Sequence, residues 1–139
     1  PKVTSITGSW ECEDIEVTDN GKKVSKDTIK TMFGKDFSSV LKLTAYGDGS
    51  ADINMMGDEG VISWSETEDN GYKLSYTGPE AESAGEMNAK LDGDKLIVTV
   101  KETYLSDGKE QGMEMKFTMK YLGKKSKRHE QCHGRRCMC

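Results

Sequence analysis

Apolar residues occupy every second position in a series of short segments along this chain, and turn residues separate the segments. In "VLKLTAY", for example, Leu41, Leu43 and Ala45 alternate with other residues, and "GDG" follows. Such alternation is typical of a β-strand with one buried face. The pattern occurs in eight segments, at 8–17, 40–46, 50–56, 61–66, 72–77, 86–91, 95–104 and 113–121. We therefore predict eight antiparallel strands, most of them joined by tight hairpin turns.

The first of these strands contains a change of phase. Trp10 and Cys12 share one face, whereas Ile15 and Val17 have the opposite parity. A β-bulge near residues 13–14, or the end of the strand there, explains the change.

Only one segment has the features of a helix. Ser25 is suited to the N-cap, and Gly34 is suited to the position just past the end. Between them, Ile29, Met32 and Phe33 share one face. The pattern predicts a short helix of about two turns.

The predicted fold class is all-β: an eight-stranded antiparallel up-and-down β-barrel with one short helix after the first strand. Sequential antiparallel strands with one apolar face close in this way because closure removes the sheet edges. An open meander sandwich is the alternative. Residues 1–122 form the predicted barrel, and residues 123–139 form a basic tail rich in Cys and His.

The charge of the chain is divided unevenly between these two parts. The net charge is −4, but residues 1–122 carry 14 Lys and Arg against 23 Asp and Glu, whereas residues 123–139 carry six against one. An acidic barrel argues against nucleic acid as its main partner, because phosphate binding requires a basic face. No apolar run reaches the roughly 18 residues that a membrane-spanning helix needs.

Methionine is concentrated at one end of the predicted barrel. Because the strands alternate in direction, counting along them places Met55, Met87, Met113 and Met115 at the end that the helix covers. Methionine side chains are flexible and fit apolar ligands of more than one shape. The interior of an eight-stranded barrel is either filled by side chains or holds one small ligand. Both alternatives are open from the sequence.

The candidate ligand-binding residues are the inward-facing residues near this end. They are Phe33, Leu41, Met55, Trp64, Tyr76, Met87, Val100, Glu102, Tyr104, Met113, Met115 and Phe117. Glu102 has the parity of Val98 and Val100. Its carboxylate either pairs with a polar ligand group or lies beyond the barrel rim in water.

Several short motifs resemble those of lipocalins. "TGSW" at residues 7–10 matches the Gly-x-Trp signature that opens the first lipocalin strand. "LTAYGDGSADI" at 43–53, followed by "ISW" at 62–64, is similar to small bacterial lipocalin-like domains. The resemblance covers about residues 5–122 and does not include the tail. It implies a calycin-type barrel with an apolar, lipid-binding pocket and no catalysis, usually exported and often a lipoprotein.

The resemblance also implies how the barrel is closed. Trp10 is expected to close the floor of the barrel. Lipocalins usually place an Arg from the last strand over this Trp, but the nearest basic residue here is Lys120, whose parity is outward.

Residues suited to catalysis are missing from the predicted barrel. Both histidines, His129 and His133, are in the tail, so the barrel offers no His-based triad. No nucleophile-elbow, phosphate-loop or HExxH motif occurs. We expect neither an enzyme nor a cofactor.

The tail supports three interpretations. Cys132, His133, Cys137 and Cys139 could bind one zinc or copper ion, although their spacing is not that of a zinc finger. The four cysteines, Cys12 included, could instead form disulfides in an exported protein. The third interpretation is a disordered tail with free thiols. Cys12 itself is either a disulfide partner or a buried free thiol.

The leading hypothesis is a non-enzymatic binding protein that holds a small apolar or amphipathic molecule in the barrel. The second is an envelope-associated or secreted protein-interaction module that uses the 78–85 loop or the tail. The third is metal binding through the tail. The resemblance implies an extracytoplasmic or secreted location, with envelope association through the N-terminus. We expect that N-terminus to be processed, because the chain opens at Pro1 rather than Met.

Overall fold

Nearly every segment predicted as a strand is a strand in the structure, a computed structural model that describes residues 5–76 and 86–123. The elements are β1 (Gly8–Asp19), β2 (Lys22–Lys23), α1 (Lys26–Phe33), a short 3-10 helix (Phe37–Ser39), β3 (Leu41–Ala45), β4 (Ser50–Met55), β5 (Asp58–Glu66), β6 (Gly71–Tyr76), β7 (Glu86–Asp92), β8 (Lys95–Ser106) and β9 (Lys109–Gly123). The long strands follow the predicted segments, and the two-residue β2 was not predicted.

The strands form a closed antiparallel barrel. β1 pairs with β3, each later strand pairs with the next, and β9 pairs back with β1. This last pairing extends from Ser9 opposite Gly123 to Asp19 opposite Met113. β2 pairs only with the end of β1, so eight strands make up the ring. The predicted up-and-down barrel is confirmed, and the open sandwich is wrong.

The predicted break in β1 is a β-bulge. The register of β1 with β9 shifts between Cys12 and Asp14. Because one extra residue is inserted there, Trp10, Cys12, Ile15 and Val17 all point inward, and all four are buried. The strand therefore continues through the bulge and does not end at it.

The helix α1 begins and ends at the predicted residues. Ser25 Oγ accepts a hydrogen bond from the Thr28 N–H at 3.2 Å, and the Gly34 N–H donates to Lys30 O at 2.8 Å. Gly34 has a positive φ of 91°, which glycine adopts at little cost. Ile29 is buried in the core, but Met32 is exposed, so the apolar face of the helix is narrower than predicted.

The barrel is closed at the end where β1 begins, which we call the floor. Ile6 is fully buried there, and its carbonyl accepts a hydrogen bond from Trp10 Nε1 at 2.8 Å. The rings of Trp10 and Tyr121 pack with their centroids 4.9 Å apart. Lys120 is exposed, as its outward parity predicted. Tyr121 therefore takes the place beside Trp10 that the resemblance assigns to an Arg.

We call the opposite end of the barrel the open end, because the inward-facing Met55, Met113 and Met115 there are only half-buried among the described residues. The pairing of β8 with β9 continues to Ser106 opposite Lys109, whereas the described pairing of β7 with β8 begins at Glu86 opposite Lys101. Residues 101–110 are all exposed. This hairpin projects beyond the rim.

Candidate ligand-binding site

A row of apolar side chains crosses four strands inside the barrel, near its open end. Val17 on β1 is paired with Met115 on β9, Met115 with Val100 on β8, and Val100 with Met87 on β7. Directly opposed residues share one face of a sheet, so these four side chains line the interior together. Met115 alone is half-buried; the other three are buried.

The next level toward the rim mixes methionine with carboxylates. Met113 is half-buried and lies between Asp19 on one side and Glu102 on the other in the register of the sheet. On the opposite wall, half-buried Met55 is paired with Leu41 on β3 and with Asp58 on β5. Each of these two methionines therefore has a carboxylate opposite it on the same face.

The phenol of Tyr76 is affected by the charges of carboxylates on both walls. It ends β6, is half-buried, and packs against the core. Burial raises the pKa of its phenol, and the charges of Glu102 and Asp58 raise this pKa further. The ring is therefore partly shielded from water, and the two carboxylates make the electrostatic potential around it negative.

Most of the predicted ligand-binding residues are brought together at this open end. Those at or near it are Leu41, Met55, Tyr76, Met87, Val100, Met113 and Met115. Phe33, at the end of α1, is half-buried and packs against the core. Phe117 lies one level deeper, paired with Ile15 and Val98, and is buried.

Trp64 lies near the floor and not at the open end. Its indole N–H donates to Tyr46 O at 2.9 Å and to Ser50 O at 3.1 Å, both at the turn between β3 and β4. Its ring packs edge-on against Tyr72, with centroids 5.7 Å apart. The indole N–H, which is the only polar group of this side chain, is therefore already hydrogen-bonded at the floor.

Glu102 and Tyr104 lie on the exposed hairpin, beyond the row of Val100. Glu102 corresponds to the second alternative from the sequence, a carboxylate in water at the rim. The Tyr104 hydroxyl donates to Asp19 Oδ1 at 2.6 Å, and this hydrogen bond raises the pKa of the phenol. Tyr104 thereby connects the hairpin to the end of β1.

Two charged residues at this end, Asp19 and Asp58, were not predicted. Asp19 has the parity of Val17, and Asp58 has the parity of Ile62. Counting parity past the last apolar residue of each strand would have found both.

The outside of the barrel has shallow grooves. One, of about 470 Å³, lies over β3, β4 and β5 beside Lys42, Asn54 and Val61. Another, of about 690 Å³, lies over β6–β9 beside Lys90 and Thr99. Their lining is mostly the outward, polar residues of the strands.

Cys12 is a free thiol inside the barrel wall. Its Sγ donates to Asp14 O at 3.3 Å, and burial raises its pKa to about 12. A disulfide through Cys12 is therefore not formed, and the buried-thiol alternative describes it. The remaining predicted disulfide partners and metal ligands, Cys132, His133, Cys137 and Cys139, lie outside the described residues. Within residues 5–76 and 86–123, no group of three or more His, Cys, Asp and Glu is arranged to hold a metal ion.

Comparison with known proteins gives no relative: no protein-family model, curated protein or solved structure matches this chain. In the part of the chain that the structure describes, α1 is too short and too polar to span a membrane.

Proposed function

We propose that this protein is a non-enzymatic, lipocalin-like binding protein that takes a small apolar or amphipathic molecule into the open end of its barrel. The observation that carries the proposal is the difference between the two ends. Trp10, Ile6 and Tyr72 are buried at the floor. Met55, Met113 and Met115 face inward at the open end but are only half-buried.

Half-buried methionines of this kind favour a ligand on energetic grounds. Covering apolar surface contributes roughly 25 cal/mol per Å², so a ligand that covers these side chains gains free energy. The unbranched thioether adjusts its rotamers to the shape it meets. A barrel of eight strands is also wide enough to hold one small molecule where side chains do not fill it.

The test is the affinity for neutral apolar probes. Dodecanol should displace the neutral dye N-phenyl-1-naphthylamine from the protein. Met115→Gln should weaken the binding of both by about tenfold, because a buried, unpaired amide costs about 1–3 kcal/mol. The matched control is Lys116→Gln, which places the same side chain on the outward face of the same strand. Equal affinity of the two variants, or no binding by the wild type, would contradict the proposal.

A protein-interaction surface at the same end is a second candidate. Among the described residues, the large apolar side chains of Leu105, Met56 and Met32 are 77%, 60% and 52% exposed; Leu105 lies on β8, Met56 in the turn between β4 and β5, and Met32 on α1. If this surface binds a protein, a partner that co-purifies with the wild type should be lost with Leu105→Ser and retained with Met115→Gln. The reverse result would favour the small ligand. A secreted or extracytoplasmic location stays a prediction.

A further inference from the structure

We infer that the molecule bound at the open end is an amphipathic cation, with an apolar tail against the methionines and a positively charged head group at the rim. This inference rests on the proposed function and adds the chemical class of the ligand.

The apolar surface and the negative charge lie on the same inward face. Met55 is directly opposed to Asp58, and Met113 is directly opposed to Glu102. In both pairs the methionine is half-buried and the carboxylate is exposed. A ligand that lies against these methionines therefore brings its outer end close to the two carboxylates.

The charges of the two carboxylates also affect the same side chain, that of Tyr76. Both contribute to the raised pKa of Tyr76, after the larger effect of burial. Charges that disfavour a phenolate at this position favour a cation there to a similar degree, and partial burial reduces the screening by water.

The lysines of β8 and β9 nearest the rim do not neutralise this charge. Within the described residues, neither Asp58 nor Glu102 forms an ion pair. Lys101 and Lys116 have outward parity, and Lys109 is at the far tip of the hairpin opposite Ser106.

Asp19 is a weaker contributor to this negative rim. It accepts a hydrogen bond from Tyr104, and Lys22 on β2 is directly opposed to it. The charge that selects the ligand is therefore assigned to Asp58 and Glu102.

The experiment compares three ligands that each have twelve carbon atoms in one unbranched chain but different head groups. Dodecylammonium, dodecanol and dodecanoate are titrated below their micelle concentrations, at neutral pH and low salt, against N-phenyl-1-naphthylamine. We expect dodecylammonium to bind at least about tenfold more tightly than dodecanoate, with dodecanol between them. Salt should reduce the difference, because the rim is exposed.

The variant that tests the assignment is the double substitution Asp58→Asn and Glu102→Gln. Both side chains are exposed, so the barrel should fold normally. Dodecylammonium should lose most of its advantage, whereas dodecanol should bind as it does to the wild type. The control is Glu114→Gln, which removes one negative charge from the outward face, opposite Lys101. Its preference should equal that of the wild type.

The outcomes separate this inference from the proposed function. Equal binding of all three ligands would overturn the inference and leave the proposed function standing. A preference for dodecylammonium that survives in the double variant, or that Glu114→Gln reduces equally, would also overturn it, because the overall acidity of the chain would then be the cause. Failure of dodecanol to bind would overturn the proposed function itself.

Discussion

The ring of Tyr121 lies against the indole of Trp10, with centroids 4.9 Å apart, across the seam where the last strand meets the first. The two residues are directly opposed in the β1–β9 register. Tyr121 also lies over Gly8, and a Cβ added to Gly8 would be only 2.5 Å from Tyr121 Cε1. The Gly-x-Trp motif therefore has a physical reason here: the glycine leaves room for the ring that packs on the tryptophan.

Replacing Gly8 should destabilise the barrel at this seam. In Gly8→Ala, the new methyl group would meet Tyr121 and also the Gly123 carbonyl oxygen at 2.8 Å, and the φ of 124° is strained for any other residue. We expect the free energy of unfolding to fall by about 1–3 kcal/mol, measured by urea denaturation.

Gly112→Ala is the control for this prediction. Gly112 is on β9 near the open end, has no strained φ, and has no atom within 4 Å of an added Cβ. Its stability should change by less than about 0.5 kcal/mol. If the two variants were equally stable, the contact between Gly8 and Tyr121 would not be needed for closure.

The buried thiol of Cys12 predicts a loss of stability at alkaline pH. Its pKa is about 12 in the folded protein, against 9.0 for an ordinary cysteine, so above pH 9.0 the unfolded chain loses the thiol proton first. The contribution to stability is complete below that pH and falls by up to about 1.4 kcal/mol per pH unit up to the folded pKa.

The comparison for Cys12 is Cys12→Ala. The variant should be less stable than the wild type near neutral pH, because a buried side chain is truncated, but its stability should fall less steeply above pH 9.0. Parallel stability curves for the two proteins would show that the thiol is already ionised or accessible. Slow reaction of the native wild type with a thiol reagent is an independent check.

The attachment of α1 to the barrel should depend on Ile29. It is the only buried residue of the helix, so Ile29→Ala removes the main apolar contact. The cost of such a truncation is about 2–5 kcal/mol. We expect amide hydrogen exchange to accelerate in residues 26–33 far more than in β9.

Met32→Ala on the same helix is the matched control. Met32 is exposed, so its truncation should leave the exchange nearly unchanged. Equal acceleration by the two variants would mean that Ile29 does not anchor the helix.

Alternation alone predicted which face of each strand is buried, because burial follows the strand period directly. It also showed the change of phase in β1, but it left open whether a bulge or the end of the strand causes it. The position of each residue along the barrel axis was harder to predict. Trp64 was placed in the site by its parity, but β5 runs down to the floor, where Trp64 binds the turn at Tyr46 and Ser50. Strand tilt and stagger determine such heights, and they are properties of the closed barrel.

The rim shows a second limit of sequence patterns. The alternation in β8 continues from Val100 through Glu102 to Tyr104, although Val100 is buried and residues 101–110 are all exposed. β8 and β9 continue to pair with each other through this exposed segment, as far as Ser106 opposite Lys109. The packing of Tyr121 over Gly8 could likewise not be predicted from the sequence pattern, because the two residues are far apart in sequence and meet only when the barrel closes.

Methyl NMR of methionine-labelled protein during a titration with dodecylammonium tests most directly whether a ligand enters the open end of the barrel. The methionines provide both the probes and the controls. We expect the methyl signals of Met55, Met113 and Met115 to shift together as the site fills. Met119, buried at the floor, and Met32 and Met56, exposed outside the core, should stay in place. Shifts confined to Met32 and Met56, or no shift at saturating ligand, would contradict a binding site inside the open end.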